Sequence, residues 1–136
     1  LTPHRGEFYR MFKIHLTGDL DLDATIVTDA AAKWDTTIVL KGQFDIISDG
    51  KTTKINKTGH PGMTVAGTGD VLVGIIAALL SVTDDTFLAA SLGTYISGVA
   101  GELAANEYGD GLMASDIPQF INKVIKNALE FRAKEV

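Results

Sequence analysis

Gly67-Thr68-Gly69-Asp70-Val71-Leu72-Val73-Gly74 is a glycine turn that runs straight into an apolar helix. Two glycines let the backbone approach a ligand closely and adopt turns that a Cβ resists. The first amides of the following helix point outward without intrahelical partners, and with the positive end of the helix dipole they form a site for phosphate or another developing anion. Such a site suits phosphoryl transfer, where catalysis is mainly positioning and charge stabilisation. Asp70, in the first helical turn, has two readings: a base that takes a proton from an attacking hydroxyl, or an acidic residue that complements the dipole. The two best-known nucleotide motifs are absent. Leu72 stands where a dinucleotide fingerprint needs its third glycine, and no Gly-Lys-Ser/Thr follows for a P-loop.

Outward from this stretch, the spacing predicts an α/β chain with a helix-rich second half. Lys57 to Gly69, with Gly59, Gly62, Gly67, Gly69 and Pro61, is too rich in glycine for a regular element. The helix from Thr68 to Ser81 is apolar on nearly every side (Val71, Leu72, Val73, Ile75, Ile76, Leu79, Leu80), so other elements must surround it. Upstream, Phe44 to Ser48 and Thr52 to Asn56 form a hairpin about Asp49-Gly50-Lys51, and Thr36 to Leu40 reads as a buried strand. Leu22 to Trp34 is a helix. Thr2-Pro3-His4-Arg5-Gly6 is a turn, followed by Phe8, Met11, Phe12 and His15 at helical spacing. Downstream, Leu88, Leu92, Tyr95, Ile96, Val99 and Leu103 mark a long helix starting near Asp85. Ser115 is the expected N-cap of a last helix carrying Ile117, Phe120, Ile121, Val124, Ile125 and Leu129 on one face.

At 136 residues, 46% hydrophobic and 21% charged, the chain is long enough to bury a core as one domain. Its longest apolar stretch, Val71 to Leu80, is about half of the roughly 20 residues needed to cross a bilayer, so no membrane span is expected there. No charged-then-apolar leader opens the sequence, and a cytoplasmic location is the expectation. A net charge of −5 opposes nucleic-acid binding, so any nucleotide must be held by local devices. Without cysteine, disulfides, thiolate metal sites and a thiol nucleophile are excluded together. Carboxylates, backbone dipoles or an oxygen-held metal remain.

Asn56-Lys57-Thr58-Gly59-His60-Pro61-Gly62-Met63-Thr64-Val65-Ala66-Gly67-Thr68-Gly69-Asp70-Val71-Leu72-Val73-Gly74 resembles the signature of the NAD(P)HX dehydratases, a family of the ribokinase-like group. Leu1-Thr2-Pro3-His4-Arg5-Gly6-Glu7-Phe8 is similar to that family's P-H-P-G-E turn, and Val39-Leu40-Lys41-Gly42 to its L-K-G strand end. The resemblance implies a ribokinase-like three-layer α/β/α sandwich, of which residues 1–136 are the C-terminal half of a single domain. It implies nucleotide contacts from Lys41, Gly42, Gln43, Phe44 and Asp45 and from Gly67, Thr68 and Gly69. Substrate contacts would come from His4 and Asp70, with Asp70 the base. The implied phosphoryl donor is ADP or ATP, and Mg²⁺ would ride on its phosphates through oxygen ligands and water, with no metal ligand assigned to the protein. The implied substrate is hydrated NADH or NADPH. The implied partners are the N-terminal portion of the same domain and further copies in a homo-oligomer, not nucleic acid or a membrane.

Each of these residues also has a plainer reading. His4 fits a solvated turn histidine, Lys41 a solvated charge at a strand end, Glu7 a helix-start residue and His60 a structural one. Arg5 stands where the family has proline, which alters the turn's rigidity or adds a positive charge near the cofactor phosphates. Two other functions fit the same loop: a small-molecule kinase of this fold, against which the His60-Pro61-Gly62-Met63 lead-in argues, and a non-catalytic nucleotide-binding module.

Overall fold

Ile38, Val39 and Leu40 have no polar side chain to offer water, and in the computed structural model, which describes residues 1–134, all three are buried as strand β1 (Ile38–Leu40). β2 (Asp45–Ser48) and β3 (Thr53–Asn56) follow as an antiparallel sheet in the order β1-β2-β3, with Val39 opposite Ile47 and Asp45 opposite Asn56. The hairpin turns where Asp-Gly predicts it: Asp49 Oδ1 accepts from the amides of Lys51 (2.8 Å) and Thr52 (2.6 Å). The other edge of β1 takes the first residues of the chain in parallel. Val39 N donates to Leu1 O and Lys41 N to Pro3 O, both at 2.8 Å, and His4 lies beside Lys41 as a parallel bridge.

Side chains alternate across a strand, and both faces of this sheet are covered. Ile38, Leu40 and Ile46 pack with Phe8 of α1 (Arg5–Phe12) and Val27, Ala30 and Ala31 of α2 (Leu20–Trp34). On the opposite face Val39 and Ile47 meet Leu72 of α3 (Thr68–Leu80) and Ala90 of α4 (Thr86–Tyr108). The result is three layers, helix on sheet on helix. α5 (Pro118–Lys134) lies outside on α4, where Phe120 and Val124 cover Ala100, Ala104 and Ala105. The helical run Thr86–Gly111 is long and apolar enough by composition to cross a membrane, with a mean hydropathy of 1.2, but half of that stretch is buried within the fold.

Several boundaries differ from the sequence reading. The strand begins at Ile38 rather than Thr36; just before it Thr37 accepts from Leu1 N at its carbonyl (2.8 Å) and shares a hydroxyl bond with Thr86 Oγ1 (2.7 Å). α1 stops at Phe12, where Lys13 takes a left-handed conformation, and His15 folds back to lie 4.3 Å from the Tyr9 ring. Ser115 is not the N-cap of the last helix. It sits inside a 3-10 turn (Ala114–Asp116) closed by Asp116, whose Oδ2 accepts from Met113 N at 2.8 Å, and α5 opens instead on Pro118. Proline suits a first helical position because its missing N–H would have had no partner there.

α3 is not surrounded as its composition demands. Leu72 and Ile75 are buried, whereas Val73 is 45% and Leu80 42% exposed. Leu1, Met11 and Trp34 are exposed as well, and Leu1, Met11 and Val73 line one cleft at the edge where the Leu1-Thr2-Pro3 strand lies. Both helical layers thus present apolar side chains at the same edge of the sheet.

Arg5 does not line this cleft. Its Nη1 donates to Asp23 Oδ2 at 2.7 Å. Asp23 is buried and also accepts from Thr17 N (2.6 Å), Thr17 Oγ1 (2.9 Å) and Gly18 N (3.1 Å), tying α1, α2 and their connection together. Burial alone pushes its carboxyl upward, but Arg5 and the Thr17 and Gly18 donors outweigh burial and hold it below the usual carboxylate value. A depressed folded pKa adds stability that is complete above the unfolded value, about 4, and is lost as pH falls through the folded one. Asp23→Ala in the complete polypeptide is expected to cost about 2–3 kcal/mol at neutral pH by stranding these donors. In urea melts the gap from wild type should narrow below about pH 4, and a gap that stays constant in acid would contradict this account.

Candidate nucleotide site

Two chain segments converge at the end of β1. The first is the head of α3. Gly67 has φ +95°, a left-handed value that residues with a Cβ rarely adopt, and its carbonyl accepts from Asp70 N (3.1 Å) and Val71 N (3.2 Å). No side chain caps this helix, and Thr68 spends its hydroxyl on Val65 O at 3.1 Å. The amides of Thr68 and Gly69 therefore have no partner among the described residues and point outward with the positive end of the helix dipole.

The second segment is the strand end. Lys41 follows β1 directly and reaches across to α3: a Cβ built on Gly69 would lie 3.2 Å from Lys41 Nζ. Lys41, Gly69 and Asp70 line a cleft of about 430 Å³, closed on the other side by Leu1, Thr2 and Pro3 and by Glu7, Arg10 and Met11 of α1, with Val73 beyond. The Lys41 ammonium and the uncapped head of α3 at Gly69 thus face one space, with the exposed Asp70 carboxylate at its margin. Oxygen-rich anions are what such a space attracts.

Glu7 and His4 organise the approach. His4 is the N-cap of α1, its Nδ1 accepting from Gly6 N (3.0 Å) and Glu7 N (3.1 Å), while His4 N donates to Glu7 Oε2 at 2.7 Å. A neutral His4 ring consequently carries its proton on Nε2, 3.5 Å from Glu7 Oε1. Glu7 Oε2 also lies 3.8 Å from Lys41 Nζ. The His4 amide first, and Lys41 after it, hold the Glu7 carboxyl below its ordinary value against the opposing effect of burial.

Of the residues singled out in the sequence, Lys41, Gly69 and Asp70 meet in the cleft. Gly67 and Thr68 form the adjoining turn, and His4 stands at the rim beside Lys41 rather than in the cleft wall. Gln43 and Phe44 are exposed in the turn after β1, while Asp45 commits both oxygens internally, to Gly42 N (3.1 Å) and Asn56 Nδ2 (3.1 Å). Burial pushes the Asp45 carboxyl upward, with Asn56, Gly42 and Lys41 opposing. His60 is structural, accepting at Nδ1 from Gly62 N (3.1 Å) and opening a 3-10 turn at Pro61–Met63. Arg10, Met11 and Val73 were missed. Their only signal was a place on α1 or α3 facing an edge that local sequence does not reveal.

A three-layer α/β/α fold with an uncapped, glycine-led helix facing a lysine at the end of β1 defines a ribokinase-like domain portion, and it superimposes on a ribokinase-like superfamily protein from Enterococcus faecalis (TM-score 0.78, 28% identity, 93% of this chain and 43% of the other). The chain belongs to the NAD(P)H-hydrate dehydratase family, whose profile matches residues 1–123. It is similar to the ADP/ATP-dependent NAD(P)H-hydrate dehydratase of Bacillus subtilis, co-crystallised with ATP and Mg²⁺ and soaked with CoA (TM-score 0.84, 31% identity, 93% of this chain and 47% of the other). Among curated relatives, the bifunctional NAD(P)H-hydrate repair enzyme Nnr of Pyrobaculum aerophilum is 43% identical over 125 residues, 92% of this chain and 25% of the relative. The chain thus spans about half of the matched structures and about a quarter of that bifunctional relative.

The close approach of Lys41 to Gly69 makes a specific demand. Gly69→Ala would shift the Lys41 ammonium by only a few tenths of an ångström, so it tests the approach of a ligand to the α3 backbone, while Lys41→Met removes the charge itself. ADP affinity of the complete polypeptide is expected to fall about tenfold in Lys41→Met, with the thermal midpoint held. Unaltered ADP affinity of Lys41→Met in a binding titration would remove Lys41 from the site.

Proposed function

We propose that the complete domain dehydrates hydrated NADH and NADPH at the expense of ADP or ATP, and that this chain is the C-terminal part of that domain, carrying the nucleotide side of the active site. The reading rests on one arrangement: Gly69, at the uncapped head of α3, and Lys41 line one cleft with Asp70, with the free Thr68 amide in the turn that adjoins it. Family membership and the ATP and Mg²⁺ of the Bacillus subtilis relative support it.

In the proposed reaction Asp70 takes the proton from the C6 hydroxyl of the hydrated nicotinamide as that oxygen attacks the terminal phosphorus of the nucleotide. AMP leaves from ADP, or ADP from ATP, while the α3 amides and Lys41 hold the charge that builds on the transferring group. The phosphorylated carbon then loses phosphate, a proton leaves the adjacent carbon, and the ring double bond returns. Gly67 to Gly69 would meet the phosphates, and the turn Lys41 to Asp45 would border the nucleotide. His4, with Nε2–H at the rim, would meet the hydrated cofactor.

The donor set fits Mg²⁺ carried on phosphates better than a protein cage. Among the described residues no group of three His, Cys, Asp or Glu is placed around one point, and Asp70 is the exposed carboxylate in the cleft. When bound, the ion would neutralise phosphate charge. A cytoplasmic setting, where the reduced cofactors turn over, accords with a metabolite-repair family.

Asp70→Asn in the complete protein separates this reading from a non-catalytic nucleotide module. ADP binding should stay near normal while recovery of reduced-nicotinamide absorbance from hydrated NADH slows by roughly 10² to 10⁴. Turnover equal to wild type would eliminate Asp70 as the base, and a phosphorylated product that never loses phosphate would point to a kinase.

The remainder of the domain should cover the exposed edge. Trp34, the one tryptophan of this chain, is 55% exposed and lies beside Leu1 and Met11. Mixed with the preceding half prepared free of tryptophan, this chain is expected to show a blue-shifted Trp34 emission; an unshifted spectrum alongside proven association would place the other half elsewhere.

A further inference from the structure

Asn56 stands outside every residue assigned so far to a ligand, yet its side chain joins the two segments from which those residues come. Its Nδ2 donates to Asp45 Oδ2 at 3.1 Å and to Thr58 O at 3.3 Å, and its Oδ1 accepts from Thr58 Oγ1 at 2.8 Å. Asp45 and Asn56 are opposite one another across β2 and β3, and the second Asp45 oxygen accepts from Gly42 N at 3.1 Å. A continuous chain of hydrogen bonds therefore runs from Gly42, next to Lys41, through Asp45 and Asn56 to Thr58, at the start of the loop that ends at Gly67.

The far end of this chain is anchored. Thr58 sits so close to Gly98 of α4 that a Cβ there would overlap it, and Gly59 N donates to Glu102 Oε1 at 2.8 Å. The Asn56 amide donates from one side to a carboxylate while accepting a hydroxyl on the other, which neither a carboxylate nor an apolar side chain can do. Burial pushes the Asp45 carboxyl toward its neutral form, so Asn56 and Gly42 also help to keep it ionised.

We propose that Asn56, acting through Asp45 and Thr58, is a positioning residue for the nucleotide: it fixes the separation between the turn that carries Lys41 and the loop that carries Gly67 to Gly69. Asn56 does not touch the ligand in this account, and the Asp45 carboxylate, held by Gly42 N and Asn56 Nδ2, leaves any contact with the nucleotide to the rest of its turn. This positioning role rests on the nucleotide reading given above.

The test is an exchange of partners in the complete polypeptide, read by ADP titration at a temperature well below the melting midpoint of each variant. Asn56→Asp sets two carboxylates against each other, and Asp45→Asn sets two amide N–H donors against each other once its oxygen accepts from Gly42 N; each should weaken ADP binding about tenfold. The double exchange restores the donor–acceptor pair between the two positions, keeps acceptance from Gly42 N and from Thr58 Oγ1, and gives up only the 3.3 Å bond to Thr58 O. It should return ADP affinity to within about threefold of wild type. Thr58→Val, which removes the hydroxyl's bonds to Asn56 Oδ1 and Tyr95 O at the edge of the network, should weaken ADP binding about threefold and serves if the other variants do not fold.

Folded variants with wild-type ADP affinity, whatever their melting points, overturn the proposal, as does a double exchange no better than the singles. Wild-type polypeptide that fails to bind ADP overturns the nucleotide reading itself, a separate outcome.

Discussion

β1 is the constraint to which every layer is referred. Its three apolar residues are buried, paired in parallel with the first residues of the chain on one edge and antiparallel with β2 on the other. Covering both faces of so short a strand requires helices above and below, and α1, α2, α3 and α4 take those positions. The strand ends where the helix α3 begins, so the charge of Lys41 and the open amides of Thr68 and Gly69 arrive at one place. Ligand sites of open α/β sheets lie beyond the carboxyl ends of strands for this reason.

The electrostatics of that place are balanced by Glu7. An unopposed ammonium beside a helix N-terminus would concentrate positive charge with nothing bound. Glu7, anchored by the His4 amide, reaches both His4 and Lys41 and tempers that charge without occupying the α3 amides. The same carboxylate closes the capping box of α1. One side chain therefore couples the substrate-side histidine of the proposed site to its nucleotide-side lysine, and both to the start of a helix.

Much of this was legible in the chain. The Asp49-Gly50 turn of the hairpin and the glycine run before α3 are local signals, each with a local physical cause, and each element appears within a few residues of its expected place. Lys41 and Asp70 could be singled out, one at a strand end and one in a first helical turn. Ser115 misled because capping preference is a competition: Asp116 closed a tighter turn first, and Pro118 opened the helix. The partner of Arg5 was not legible because a charge in a turn carries no direction, and the buried Asp23 with which it pairs lies in a different helix.

The order of elements, the phosphate-seeking turn and the apolar excess of α3 belong to the sequence itself, since each follows from residue type and spacing. Tertiary structure decided which residues share a space: that Lys41 reaches Gly69, that Asp45 turns inward to Asn56, and that Val73, Met11 and Leu1 border one open edge. Such pairings depend on the distance between residues far apart in the chain, and that distance is set only when the layers close on β1.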